Sequence, residues 1–256
     1  MPKLSIIIIT LNEEKNIGRC LNSVKEVADE VVVVDSLSTD RTKEICMAEG
    51  TRFIEQPFLG YIEQKNFALA QANYPFVLSL DADEALSEKL KQSILEVKQN
   101  PDADGYTMNR LTNYCGQWIH HCGWYPDTKL RLWNIHKGHW EGLFIHEKVK
   151  MQSNAKIGRL TGDLLHYSYY TLEEHYRQAE KFSTIAATKV KRTNRLMLGI
   201  KIIIKPVAKF IRNYIIKKGF LDGVAGFTIC RISAYETLMK YSKAYRLQFS
   251  DRKKSS

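Results

Sequence analysis

Glycine is missing where a phosphate-cradling loop would need it. Thr10 to Ile17, which follows the first apolar run, contains no glycine and two acids, so the Gly-rich triphosphate loop of a nucleotidyltransferase cannot form there. No predicted strand is followed by G-x-G-x-x-G either, which excludes a dinucleotide-binding dehydrogenase. Cysteine is scarce and scattered. Cys20, Cys46, Cys115, Cys122 and Cys230 are odd in number and lack paired spacing, which rules out a disulfide scaffold and leaves reduced thiols as the expectation. Cys115, His120, His121 and Cys122 are ligand types, but their spacing fits no zinc pattern. Lys3 and the run Leu4 to Thr10 are followed by Asn12, Glu13 and Glu14 and not by a small-residue cleavage site. The run is read as a first strand and the chain as cytoplasmic. There is no internal repeat and no low-complexity linker.

What is present is enough for one substantial core and a smaller appended element: 256 residues, 44% of them hydrophobic. The net charge of +10 is unevenly spread. Residues 189–256 hold 17 basic and 3 acidic side chains, a net +14, whereas residues 1–188 are net −4. Such a tail calls for an anionic partner, phospholipid or nucleic acid. Its charges alternate with aliphatic residues and not with the aromatics that stack on bases, which favours lipid; a non-enzymatic nucleic-acid-binding module is the alternative.

Leu4 to Thr10 is β-branched and nearly all apolar, which suits a strand covered on both faces. Asn12 to Lys25 places Ile17, Leu21 and Val24 at helical spacing. The alternation continues with strand Glu30 to Val34, helix Thr42 to Glu49, strand Thr51 to Ile54, helix Ile62 to Ala72, strand Phe76 to Leu80 and helix Leu86 to Gln99. This pattern predicts an α/β fold, a mostly parallel sheet flanked by helices on both faces. Ligands bind outside the carboxyl ends of such strands, where Thr10, Asp35 and Asp81 fall. From Asp102 to His166 short strands, turns and aromatics should cover the sheet end. Beyond Thr171 the chain should be helical, over Leu172 to Lys191 and Leu196 to Lys218. The expected division is a catalytic domain over 1–190, with 1–100 nucleotide-binding and 101–170 on the acceptor side, and a basic amphipathic membrane-associating region over 191–256.

Asp81-Ala82-Asp83-Glu84 follows a buried strand. Two carboxylates one residue apart can hold a hard divalent cation, which in turn neutralises a sugar-nucleotide diphosphate. Around this motif the sequence is similar to a known family. "SIIIITLNEEKNIGRCLNSV", "EVVVVDSLSTDRT", "EQKNFAL" and "VLSLDADE" look like the successive nucleotide-binding segments of family 2 glycosyltransferases. "GWYPDTKLRLW", "EGLFIHE", "LLHYSY" and "GFLDG" resemble the WaaE-type lipopolysaccharide-core glucosyltransferase subgroup. The resemblance spans nearly the whole chain and implies the GT-A fold, a nucleotide-sugar donor of the UDP-hexose kind, with UDP-glucose suggested by the subgroup, a divalent metal (Mg or Mn) and a saccharide or lipid-linked acceptor in bacterial surface-glycan assembly. It also implies that Ile9, Leu11 and Glu13 line the nucleoside, that Asp35 hydrogen-bonds the base, that Asp81 and Ala82 approach the ribose and diphosphate, and that Asp83 ligates the metal. A carboxylate suits the uracil imide N–H, a donor; the alternative for Asp35 is a helix-capping acid, a role that Ser36, Ser38 or Asp40 can also fill. Lys65 is a candidate nucleotide contact on a helix face that can also simply face water.

Inverting transfer needs a carboxylate base on the face opposite the leaving diphosphate. Glu147 is the first candidate, with Asp127 and Glu141 as rivals; the adjacent Glu-Asp pair that marks the base in many family members is absent. Arg131 can brace the leaving phosphate, and His146 and His166 can complete a metal shell. Trp118, Trp124, Tyr125, Trp133 and Trp140 crowd this region, with Trp124 and Tyr125 as acceptor-site candidates. In the basic region Lys201, Lys205, Lys209 and Arg212 recur at four, four and three residues, a stripe beside a broad aliphatic face. No uncharged run approaches the ~20 residues of a spanning helix, so the segment is expected to lie on a bilayer, with Pro206 kinking or dividing it.

Overall fold

A computed structural model describes residues 2–142 and 147–249. The chain forms two compact units. One takes in the chain up to Leu111 and Asp127–Tyr167; the other takes Thr112–Pro126 and the chain from Ser168 on.

In the first unit β1 (Leu4–Thr10) lies between β2 (Glu30–Asp35) and β4 (Phe76–Asp81), parallel to both. A strand with neighbours on both edges and layers on both faces has no solvent side, and its isoleucine run reflects that: Ile6, Ile7 and Ile8 are all buried. β3 (Arg52–Glu55) extends the parallel part beyond β2. On the other side the sheet continues through β8 (Asp127–Asn134), β6 (Gly105–Tyr114), β11 (Ile157–Tyr169) and β5 (Glu84–Leu86), with antiparallel pairing at β4–β8, β8–β6 and β11–β5. The α/β architecture is thus the one the alternation predicts, with its parallel half formed by β1 to β4. Helix α1 (Ile17–Val24) buries Ile17, Cys20, Leu21 and Val24, one face at helical spacing. α2 (Thr42–Ala48), α3 (Tyr61–Ala70) and α4 (Glu88–Gln99) follow. The core divides into a cluster that includes Ile6, Ile8, Leu21 and Leu78 and another that includes Ile7, Val32, Ala68 and Trp133, as alternating side chains of one sheet require. A hairpin of β9 (Gly138–Glu141) and β10 (Lys148–Met151) forms a separate two-stranded sheet.

The helix expected from Leu86 begins at Glu88 instead. Ser87 caps it by accepting the Leu90 N–H, and Glu84–Leu86 pairs with β11 as a strand. The close approach of β11 to α4 needs Gly162, which has φ of +91° and whose added Cβ would meet the Leu90 backbone.

In the second unit β7 (Gln117–Ile119) pairs with the end of β6, and three helices follow: α5 (Leu172–Thr188), α6 (Arg195–Ile211) and α7 (Gly223–Phe249). The division falls before α5 and not at the expected residue 190, because α5 and α6 both pack on α7. α5 opens on a capping box of Thr171 and Glu174. α6 runs unbroken through Pro206, so of the two outcomes expected there, a kink or a division into two helices, the division does not occur. A π-helical turn (Arg212–Ile216) and a 3-10 turn (Gly219–Asp222) lead into α7.

Candidate active site

The carboxyl ends of the parallel strands bring the predicted residues together by register. Thr10 is paired with Asp35, and Ile9 lies between Val34 and Asp81. The loops beyond are laced by side chains. The backbone N–H of Asn12 donates to Ser38 Oγ (2.7 Å), that of Glu13 to Thr42 Oγ1 (2.8 Å) and that of Glu14 to Asp40 Oδ2 (3.0 Å). These are amides a phosphate-cradling loop would keep for its ligand, so the exclusion drawn from the missing glycines holds in geometry as well. Asp35 is buried and accepts both the N–H and the hydroxyl of Ser38. It therefore organises its own loop, while Asp40, accepting the Thr42 N–H, serves the start of α2. Leu11 is half exposed at the loop tip. Burial raises the Glu13 carboxyl above its ordinary value; a hydrogen bond from Asn16 opposes this, and the charges of Asp83, Asp40 and Asp81 add to it.

Asp81 ends β4 inside a network of charges. Lys65 Nζ from α3 lies 3.0 Å from one carboxylate oxygen, and Arg131 Nη2 from β8 lies 3.0 Å from the other. Burial alone would raise the Asp81 carboxyl; Lys65 and Arg131 outweigh it and hold the group well below the usual carboxylate range. Neither base faces water: Lys65 is 1% and Arg131 4% exposed. Lys65 also reaches Glu147 Oε1 at 3.4 Å and stands 4.5 Å from the Trp140 ring centre, a cation–π position. The expectation that Lys65 can simply be solvated is corrected here, because α3 lies on the sheet and turns this residue inward. The neighbouring Gln64 donates to Ser36 Oγ and the Gln56 carbonyl, and Asn66 exchanges two hydrogen bonds with the Trp140 backbone.

In the sequence Glu84 is only the tail of an acidic motif. It is 1% exposed, accepts the Asp81 N–H at 3.0 Å and pairs with Arg131 (3.2 Å) and Arg110 (3.4 Å). The three-residue strand β5 carries it inward, and a strand that short shows no period in the sequence. Arg110 and Trp140 were likewise not singled out as charge partners.

Asp83 is less enclosed, and its Oδ2 lies 3.2 Å from His166 Nε2. The β11–β5 register produces this meeting, pairing His166 with Glu84, and the Tyr167 N–H donates to the Asp83 carbonyl. A carboxylate and an imidazole side by side, with His166 Nδ1 buried and without a hydrogen-bond partner among the described residues, form a donor set that suits Mn²⁺ or Mg²⁺ on the carboxylate side and Mn²⁺ on the imidazole. Among the described residues no group of three ligand-type side chains is gathered. His146 lies outside the described residues.

Of the base candidates, Glu147 joins Asp81, Arg110, Lys129, Arg131 and Trp140 in lining a cleft of about 390 Å³. Asp127 is engaged by Arg110 (2.8 Å) and Lys129 (3.0 Å). Glu141 pairs with Lys150 across its hairpin at 2.9 Å, and that lysine lowers its carboxyl. Trp124 and Tyr125 belong to the second unit. Trp124 packs against Tyr114, Tyr169 and His175, and Tyr125 precedes a cis proline with its ring edge-on to His120. Of the basic stripe, Lys205 and Arg212 are exposed, whereas Lys201 and Lys209 are half-buried.

Over residues 5–149 the chain matches glycosyl transferase family 2. It belongs to that family and is a glycosyltransferase. An uncharacterized glycosyltransferase of Rickettsia typhi is 30% identical over 98% of this chain and 90% of its own. LpsC of Rhizobium meliloti, a lipopolysaccharide core biosynthesis glycosyltransferase, is 30% identical over 96% of this chain and 94% of its own. Among solved structures, residues 1–349 of S. aureus TarS align over 99% of this chain and 92% of that one, at 17% identity and a TM-score of 0.44.

Proposed function

We propose that this enzyme is an inverting transferase that moves a hexose from a UDP-sugar to a saccharide or lipid-linked acceptor in bacterial surface-glycan assembly, with Glu147 as the base. The observation that carries the reading is Lys65, which bridges Asp81 at 3.0 Å and Glu147 at 3.4 Å and so gathers the donor-side carboxylate and the base at one buried cation. Asp35 keeps a free lone pair on each oxygen after binding Ser38, enough to accept the uracil imide N–H. Asp83 and His166 would hold the divalent cation, which when bound neutralises the diphosphate. Glu147 takes the proton of the acceptor hydroxyl. The oxygen then forms its bond to the sugar's anomeric carbon from the face opposite the departing UDP, which leaves with the bonding pair. Lys65 and Arg131 keep Asp81 ionised throughout.

The enzyme is further read as peripheral on the inner face of the cytoplasmic membrane. Support comes from the net +14 of residues 189–256, and among the described residues no helix is long and apolar enough to cross a membrane. Nothing in the site or the relatives favours the nucleic-acid alternative.

A donor screen tests the reaction: released UDP or GDP is measured over a panel of nucleotide-sugars, with and without Mn²⁺. UDP release with acceptor should fall roughly 100-fold or more in Glu147→Gln with donor binding kept. Normal turnover by Glu147→Gln with a dead Asp127→Asn would move the base role to Asp127. An α-linked product from an α-linked donor would defeat inversion.

A further inference from the structure

α6 is built inside out with respect to its own bundle. Leu198 is buried against Ala244 and Tyr241 of α7, and Phe210 packs with Ile229. The larger aliphatic side chains point the other way: Leu196, Ile200, Ile203, Ile204, Val207 and Ile211 are each 41% to 76% exposed. Their spacing of four, three, one, three and four residues puts them on one helix face. The apolar surface continues through Ile215 and Ile216 of the π-helical turn and Phe220 of the 3-10 turn to Val224, which is 83% exposed. Lone exposed aliphatics are ordinary, but a contiguous run of this kind marks a binding surface.

The charge around the face decides what it meets. Between Glu180 and Asp222 the chain has no acidic residue and eleven basic ones. Lys205, Arg212, Lys217 and Lys218 are exposed beside the apolar run. Lys209 is not among them. It is half-buried, burial lowers its pKa, Arg212 adds to the effect, and Glu236 of α7 opposes it. A second copy of this chain would bring a like-charged rim against this one. Nucleic acid would meet hydrocarbon where it needs stacking rings. A bilayer with anionic headgroups offers both hydrocarbon and negative charge.

We propose that the outward face of α6 and the two turns after it form an in-plane membrane-docking surface, with Ile203, Ile204 and Val207 entering the headgroup boundary and Lys205, Arg212, Lys217 and Lys218 engaging anionic headgroups. The inference builds on the peripheral-membrane reading by naming the surface that carries it, and by assigning Lys209 to the bundle and not to the lipid.

The test is flotation of the full chain with vesicles, either of phosphatidylcholine alone or of equimolar phosphatidylcholine and phosphatidylglycerol. Wild type should float with the mixed vesicles at low salt and only weakly with the neutral ones. Lys205→Gln with Arg212→Gln should weaken the anionic preference by roughly fivefold per charge removed. Ile203→Gln, Ile204→Gln and Val207→Gln together should abolish flotation at low and high salt, with an unchanged urea midpoint showing an intact fold. Lys209→Gln should bind vesicles as wild type does. Wild type that stays unbound with mixed vesicles, or a triple variant that floats normally, overturns the proposal. So does a wild-type dimer that the triple variant converts to monomer while vesicle binding is unchanged, which would assign the face to a second copy. UDP binding, measured on the same samples, reads the donor site separately, so loss of docking and failure of the transferase reading are distinguishable.

Discussion

The two units break the inside-outside rule in opposite directions. In the first, charges are buried: Lys65, Arg131, Glu84 and Asp35 are each 4% exposed or less. In the second, hydrocarbon is left out: Ile203 is 71% and Val224 83% exposed. Soluble proteins rarely do either without a reason. A buried charge must be paired and hydrogen-bonded, which fixes it in place, and fixed charge is what a reacting diphosphate and sugar require. An exposed aliphatic face needs no such geometry, because hydrophobic contact has no direction. Precision is thus concentrated in the unit assigned to chemistry and tolerance in the one assigned to docking.

The sharpest way to break the comparison is to empty the buried charge network from within. Glu84→Leu leaves Arg131 and Arg110 without their shared carboxylate, so unfolding free energy should fall by roughly 3–5 kcal/mol in urea titration. A loss below about 1 kcal/mol would mean that the arginines find water or new partners. The next contrast is between two isoleucines of the second unit. Ile229→Gln, at a fully buried site, should cost about 3 kcal/mol or more, whereas Ile203→Gln should stay within about 0.5 kcal/mol of wild type. Equal costs would show that the exposed face is packed in solution.

His175 gives a pH handle on the same unit. Burial lowers its pKa to about 4, and the Tyr114 hydroxyl lies 2.9 Å from Nδ1. The folded value is below the unfolded one, so its contribution is complete above the unfolded pKa of ~6.5 and is lost as pH falls from there toward 4. Stability should decline by up to about 1.4 kcal/mol per pH unit across that window, and His175→Gln should remove this part of the slope. A wild-type melting temperature that is flat over the window would contradict it. The smallest expected change is Thr171→Ala, which removes one arm of the α5 capping box and should cost about 1 kcal/mol by urea titration.

Much of the first unit was legible because period and burial agree there. The Ile and Val runs could only be covered strands, and strand ends at Asp35 and Asp81 locate a ligand crevice before any coordinate is known. Glu84–Leu86 was missed because a three-residue strand has too few residues to show a period, and Ser87 reads equally well as a cap or as part of an earlier helix. Lys65 and Arg131 were ambiguous for a different reason: their burial depends on partners 16 to 82 residues away, which no local pattern records. In the basic region sequence showed the stripe and the aliphatic face but not which side α7 would take. Packing on α7 buries Leu198 and leaves Ile200, Ile203, Ile204 and Ile211 exposed, with Lys209 half-buried.

On the proposed reading, Asp83 beyond β4 holds the divalent cation through which the nucleotide-sugar binds. Calorimetric titration of UDP into the full chain, with and without Mn²⁺, tests it on wild type and Asp83→Asn. Mn²⁺ should strengthen UDP binding to wild type, and Asp83→Asn should weaken the Mn²⁺-dependent part by more than the ~10–100-fold that loss of a partner outside the ligand set costs, with the fold intact by circular dichroism. UDP affinity that is indifferent to Mn²⁺, or the same in both proteins, would contradict the account.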